Sequence, residues 1–326
     1  MLASIIRRAC LAGAALLMAA TCAAAQDFPS RVIRIIIPYP AGGSVDVTAR
    51  ILAQKMGESM KAQVIVESRS GANGNIGSDT VAKAEPDGYT LLYTAPSPLT
   101  INQMLYTKGL PFNPERDFAP IGLFAISPIV LMVHPSVDAK NVPELVALAK
   151  KNPGKIGFAS AGMGSTPHLS GEMLKSLSKA DFLHVPYRGM GPAMQDVVAG
   201  HVQMIFDLLP TSLPRINQGQ LRALANAGAK RAQALPDLPT VAEQGLAGFD
   251  TSSWFGLVAP AKTPKPVLDK LTAEMKKAVE SPDVSERIRK LGLEPGTAFG
   301  GDFAAFMRAE TAKWAKVIKD SGAKVE

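Results

Sequence analysis

The stretch IIIPYPAGGSVDVTAR, residues 35–50, decides how the rest of the chain is read. A β-branched apolar run enters a Pro/Gly turn. It leaves as a helical pattern with Val47, Ile51, Leu52 and Met56 on one face. A helix that starts this way presents unpaired N–H groups and partial positive charge, which favours an anion. Gly42 and Gly43 allow close approach to the backbone, and Ser44 adds a hydroxyl donor. Asp46 falls in the first helical turn, where a carboxylate answers the dipole or fixes the loop.

The loop is not a nucleotide cradle. PAGGSVD has no lysine to reach a phosphate and no Walker spacing. GANGNIG spaces Gly71, Gly74 and Gly77 by three, and GMGSTP puts Pro167 where a third glycine would stand.

A second strand–turn–helix, ASAGMGSTPH at residues 159–168, repeats the device. Ser165 and Thr166 read as helix caps with Pro167 in the first turn, and they also supply hydroxyl donors. Ser165 and His168 lie close, but GMGST is not a nucleophile elbow, so a Ser/His hydrolase is the weaker reading. His134, His168, His184 and His201 lack ligand spacing, so neither metal nor cofactor is expected.

Outward from these two loops the chain alternates apolar strands with helical patterns. The first set runs through QVIVES, NIGSDTVAKA and DGYTLLYTA. The second runs from SPIVLMVHP through NVPELVALAKKNPG, KIGFASAG, STPHLSGEMLKSL, FLHVPYRG, GPAMQDVVAGH, VQMIFD and LRALANAG. Near-continuous apolar strands in this order predict parallel sheets covered on both faces. SSWFGLVAP follows, then two helices. The last carries Phe303, Phe306, Met307, Glu310, Trp314, Val317 and Ile318 on one face, all apolar except Glu310.

The predicted fold is therefore α/β, with two doubly wound lobes joined by hinge strands around IGLFAISPIVL and DTSSWFGLVAP. Lobe 1 comprises residues 26–125 and 250–326, and lobe 2 comprises residues 126–249. Two donor-rich loops on two lobes suggest a cleft that clamps a small anion.

Residues 1–25 read as a secretory signal peptide. Arg7-Arg8 precede a short apolar core, and AAA at residues 23–25 offers a cleavage site. Arg7-Arg8 leaves twin-arginine export open, while MAAT before Cys22 matches a lipidation site poorly. Cleavage there would remove Cys10 and Cys22, the only cysteines, and with them any disulfide. The chain carries +7 with Lys and Arg scattered and no aromatic interleaving, so nucleic-acid binding is not expected.

Blocks such as FPSRVIRIIIPYPAGGSVDVTARILAQKM, VIVESRSGANGNIGSDTVAKAEPDGYTLL, GKIGFASAGMGSTPHLSGEMLK and HVPYRGMGPAMQDVVAGHVQMIFD follow one another as they do in a known family. The chain resembles the Bug-type substrate-binding receptors of the tripartite tricarboxylate transporter system. The resemblance implies a periplasmic, non-enzymatic receptor of type II (Venus-flytrap) architecture. It implies a monomer that closes over a small organic carboxylate and hands it to a membrane permease. Its site residues would be Tyr39, Ala41, Gly42, Gly43, Ser44 and Asp46 in one loop and Ser160, Ala161, Ser165, Thr166 and His168 in the other. Ser97 and Asp207 match cleft-facing segments, and Trp254 is either an aromatic wall or a core anchor. Ala41 replaces a frequent second proline and Val45 a common threonine, which bears on ligand preference. Arg188 is the alternative carboxylate partner. A sensory receptor with a signalling partner would use the same binding chemistry.

Overall fold

The computed structural model describes residues 28–325, so the signal-peptide reading lies outside the described residues. The first sheet is built on β1 (Ile33–Ile37), whose side chains are almost all buried. It pairs in parallel with β2 (Val64–Ser68) and β3 (Thr90–Thr94). In the second sheet, β5 (Gly157–Ser160) pairs in parallel with β6 (Leu183–Pro186) and β7 (Met204–Leu208).

One strand serves both sheets. β4 (Phe118–Val133) is sixteen residues long and nearly all buried. Its first part pairs with β9 (Ser252–Pro260), from Phe118–Pro260 to Pro128–Ser252. Its last part, from Ile129 to Val133, lies between β7 and β8 (Arg222–Asn226). The register of β4 slips around Pro120, which has no N–H to give the ladder, and again before Ala125. β4 and β9 are the hinge strands expected from the sequence.

The sheets are mixed rather than purely parallel. β9 runs antiparallel to β3 and to β4, and β4 runs antiparallel to β7 and β8. A strand that crosses from one lobe to the other meets its neighbours head to tail, so the hinge pairs reverse the βαβ direction.

Helices cover both faces of each sheet. In lobe 1, α1 (Ser44–Met60), α8 (Lys265–Glu280) and α9 (Pro282–Lys290) put Leu52, Met56, Leu271 and Ile288 into one core. On the other face α2 (Asn75–Ala82) and α10 (Gly301–Ser321) contribute Val81 and Phe303 beside Trp254. In lobe 2, α4 (Val142–Lys151) and α5 (Thr166–Ser178) bury Leu145 and Leu174 on one face. α6 (Met190–Val198) and α7 (Leu209–Asn217) bury Val197 and Leu209 on the other. The doubly wound architecture follows from these four cores.

Three helices, not two, follow β9. Ser281 is extended (φ −67, ψ 138) and precedes Pro282, which has no N–H to continue the ladder, so α8 and α9 separate there. A π-turn (Ser97–Ile101) leads directly into the short α3 (Asn102–Leu105); neither is legible as a helix from periodicity. The C-terminal half of α10 packs Trp314, Val317 and Ile318 against Ile101 and Leu105 of lobe 1 and Leu169 of α5 in lobe 2. That helix therefore touches both lobes.

Candidate functional site

The first loop ends at α1. Gly42 takes φ +85, a left-handed turn that suits glycine, whereas Gly43 is extended (φ −82, ψ 174) and is the N-cap. The tight turn thus belongs to Gly42. Ala41, Gly42 and Gly43 are exposed, and Ser44 is half-buried. Asp46 is buried and accepts the Gly42 N–H at 2.9 Å, while Arg50 Nε lies 2.9 Å from its other oxygen. Burial alone would raise this carboxyl, but Arg50 and the Gly42 N–H together hold it below the usual range. Asp46 fixes the loop, so its charge is already answered. The Val47 N–H is the first of α1 to find a backbone acceptor, Gly43.

Tyr39 anchors the same loop. Its hydroxyl lies 3.3 Å from where a Cβ on Gly74 would sit. Burial pushes its phenol up to about 12, against a smaller opposing influence from the Ser97 and Thr94 hydroxyls. None of these closes a hydrogen bond of ordinary geometry, and the buried oxygen has no partner among the described residues.

Both loops converge on the 3₁₀ turn Ala72–Gly74. Asn102 fastens that turn: its amide donates to the Asn73 carbonyl (3.0 Å) and to Asn75 Oδ1 (2.7 Å), and its own oxygen accepts from Asn73 Nδ2 (3.0 Å). From lobe 2, buried Gly164 (φ +76) abuts the turn. A Cβ there would stand 2.5 Å from Leu105 Cδ1 and 3.1 Å from Asn73 Nδ2. Ser97 Oγ reaches across to the Gly164 carbonyl at 3.4 Å. Residues of the two loops therefore approach one another at this turn.

The second loop is held from within. Ser165 Oγ donates to the Gly162 carbonyl (2.8 Å) and accepts the His168 N–H (3.4 Å). Its one proton is used in the loop, so Ser165 is the cap read from the sequence but not also a free donor. Ser160 Oγ accepts the Gly162 N–H (3.1 Å) and sits 2.7 Å from His184 Nε2. His168 Nδ1 accepts the Gly164 N–H at 3.1 Å. Burial first, then His184 and Lys175, hold His168 down at about 3; burial and Lys175 hold His184 at about 4. Both shifts favour the neutral imidazole. Ala161 lies half-buried in this loop, and Thr166 is buried at the start of α5. The Thr166 hydroxyl has no hydrogen-bond partner among the described residues.

Two expected site residues turn out otherwise. Trp254 is fully buried and packs edge-on against Phe303 and Phe306. Its indole N–H goes to Glu310, so it is the core anchor and not a cleft wall. Asp207 is buried at the end of β7 and accepts from Thr211 Oγ1 (2.6 Å) and Ser212 Oγ (3.4 Å). Burial lifts its carboxyl to about 7. Through those two hydroxyls it ties β7 to the first turns of α7 beside the hinge pairing, where Val130 is its partner in β4. Arg188 is exposed and forms no ion pair among the described residues. Two surface depressions of about 420 and 440 Å³ lie away from both loops, on α8/α9 and beside β8. Among the described residues no cluster of three His, Cys, Asp or Glu could hold a metal ion, and no helix is long and apolar enough to cross a membrane.

The two loops thus offer helix N-termini, hydroxyls and a buried phenol, and they contain no lysine or arginine. Such a donor-only site suits a carboxylate held by N–H and O–H groups. Residues 48–323 match the sequence profile of TctC, the tripartite tricarboxylate transporter family receptor. The chain belongs to this family. It is 41% identical over 321 residues (97% of this chain, 95% of the other) to the UPF0065 protein in the tcbD-tcbE intergenic region of Pseudomonas sp. strain P51. The structure of R. palustris Rpa4515 with adipate superposes with a TM-score of 0.87 at 34% identity, covering 92% of this chain and 100% of that one. MatC from Rhodopseudomonas palustris with bound malate gives 0.82 at 31% identity, covering 89% and 100%. The family is one of solute receptors, not enzymes, which agrees with the reading of the sequence.

His184 and Gly164 escaped sequence reasoning. FLHVPYRG reads as a strand with no sign that His184 faces the loop 24 residues earlier. Only the parallel register of β5 and β6, with Phe158 opposite His184 and Ser160 opposite Pro186, brings them together.

Proposed function

We propose that this receptor is periplasmic and closes over a small dicarboxylate between the N-termini of α1 and α5, then passes it to a membrane permease of a tripartite transporter. The observation that carries this reading is the convergence of two cation-free, donor-rich loops on the Ala72–Gly74 turn. The adipate and malate held by similar receptors support the choice of a dicarboxylate. Lobe 1 takes residues 26–125 and 250–326, and lobe 2 residues 126–249, with closure about β4 and β9.

One end of the ligand would meet the free N–H groups that open α1, with Ser44 and the Tyr39 hydroxyl close by. The other would meet Thr166 and the start of α5. Ser97, Ser160, Ser165, His168, Gly42 and Asp46 would shape the walls through the bonds described above. Neither end needs a counter-cation, because a carboxylate that accepts several N–H bonds is stabilised without one.

Thermal unfolding and calorimetry of ligand-stripped protein against mono-, di- and tricarboxylates test the reading. A dicarboxylate at a hundred times its Kd should stabilise the fold by about 2.7 kcal/mol. No thermal shift across the whole panel would overturn it. Release of the mature protein by osmotic shock tests its location, and ligand-dependent capture of a permease subunit tests its partner.

A further inference from the structure

We propose that His168 and His184 are positioning residues: His168, accepting the Gly164 N–H, and His184, hydrogen-bonded to Ser160, hold the 160–165 loop in the shape that lets lobe 2 seat against lobe 1. The inference rests on the cleft reading above, but it concerns groups that do not themselves face the ligand.

The loop is fastened at alternate residues. His168 Nδ1 accepts the Gly164 N–H at 3.1 Å. Ser160 Oγ, 2.7 Å from His184 Nε2, accepts the Gly162 N–H at 3.1 Å. The two rings pack tilted at 33° with centroids 4.2 Å apart, and His184 stacks in turn on Phe158 at 4.8 Å. Each ring therefore braces the other, and Phe158 of β5 braces both.

The Nδ1 contact fixes the tautomer. Because Nδ1 accepts the Gly164 N–H, the ring proton of the neutral His168 sits on Nε2, which points toward Glu172 at 3.9 Å. A protonated imidazole would set N–H against N–H at Gly164 and break the contact. The charged and titratable groups around His168 are His184 from β6 and Glu172 and Lys175 from its own helix.

Gly164 passes the effect on. Its N–H is held by His168 within lobe 2, and its carbonyl is met by Ser97 of lobe 1 at 3.4 Å. It also packs against Leu105 and Asn73. The Gly164 N–H and carbonyl belong to successive peptide units joined at its Cα, so freeing the first would let the second turn away from Ser97 and lose both the cross-lobe bond and the fit. His168 is buried and reaches the cleft only through Gly164.

The test compares His168→Asn with His168→Gln, and adds His168→Ala. Asn places an acceptor near the Nδ1 position, whereas Gln places one near Nε2. Two readouts are taken on each folded variant. Amide hydrogen exchange at Gly162 and Gly164 is followed without ligand, and binding of adipate is followed by calorimetry. We expect His168→Gln and His168→Ala to speed Gly164 exchange at least tenfold and weaken adipate binding at least tenfold. His168→Asn should stay within about threefold of wild type in both. If Gln performs as well as Asn, or if all three exchange like wild type, the proposal is wrong. If the wild type binds no carboxylate, the functional reading fails, and exchange at Gly164 alone still decides the role of His168. Should His168→Ala not fold, the Asn/Gln pair carries the comparison.

Discussion

The indole N–H of Trp254, on hinge strand β9, donates to Glu310 Oε2 of the C-terminal helix at 3.2 Å. Trp314, one turn along the same helix, donates to the same oxygen at 3.2 Å, and Lys313 Nζ holds the other oxygen at 2.6 Å. This explains the single charge on an otherwise apolar stripe. Two buried indoles need an acceptor, and Glu310 supplies it where the hinge meets the helix that spans both lobes.

Replacing that acceptor should therefore cost stability. Glu310→Leu strands two buried indole donors, at about 1–3 kcal/mol each. Glu310→Gln keeps an oxygen for them and should lose no more than about 1–2 kcal/mol. Urea unfolding followed by tryptophan fluorescence reports it directly, since these are the only two tryptophans. A Glu310→Leu protein as stable as wild type would show that the pairing is incidental.

Gly42 and Gly43 separate folding from binding. A Cβ on Gly43 meets nothing nearer than the Pro40 carbonyl at 3.8 Å, and its backbone is extended. Gly43→Val should leave stability within about 0.5 kcal/mol while placing methyl groups over the start of α1. Binding of the ligand should fall steeply. Gly42→Val, at φ +85, should instead lose at least about 1 kcal/mol of stability. Unchanged affinity in Gly43→Val would move the site away from α1.

Gly164→Val tests closure. Its Cβ would stand 2.5 Å from Leu105 Cδ1, and valine resists φ +76. The lobes should seat less fully, with a larger radius of gyration by X-ray scattering in saturating ligand. Affinity should drop at least tenfold. A scattering profile identical to wild type would show that Gly164 is not a closing contact.

Asp207 predicts a pH dependence of definite sign. An unfolded Asp ionises near 3.9, but burial lifts the folded group to about 7. The native state thus holds the proton more tightly, and this group's contribution to stability is lost as pH rises from about 4 through about 7. His168 and His184 act the other way: their folded values lie below the free imidazole's, so their contribution is lost as pH falls below about 6.5. Comparing Asp207→Asn with wild type cancels the histidines. The variant keeps an acceptor for Thr211 and should gain more in Tm at pH 8 than at pH 5. An equal difference at both pH values would contradict the raised carboxyl.

Much of this arrangement was legible in residue order. The apolar runs around Ile35, Phe158 and Val130 located strands because strands buried on both faces carry little polar interruption. The joining strands were placed around IGLFAISPIVL and DTSSWFGLVAP, where two sets of alternating strands and helices adjoin. The helix starts at Ser44 and Thr166 followed from Gly, Ser and Pro at their entries. The π-turn at Ser97 and the split at Ser281 were not, because each depends on how neighbouring backbone is held rather than on a side-chain period.

What the sequence determined by itself was local: two glycine-rich helix entries, their lack of a cation, and the order of strands. What the tertiary structure decided was which donors stay free. Ser165 looks like a ligand donor in sequence, yet its proton goes to Gly162; Trp254 looks equally like wall or core, yet Glu310 and Phe303 fix it in the core. His184 joins the site only because β6 lies beside β5. A hydroxyl or imidazole carries the same letter whether its hydrogen bonds are spent or available, and only packing between residues far apart in sequence settles which.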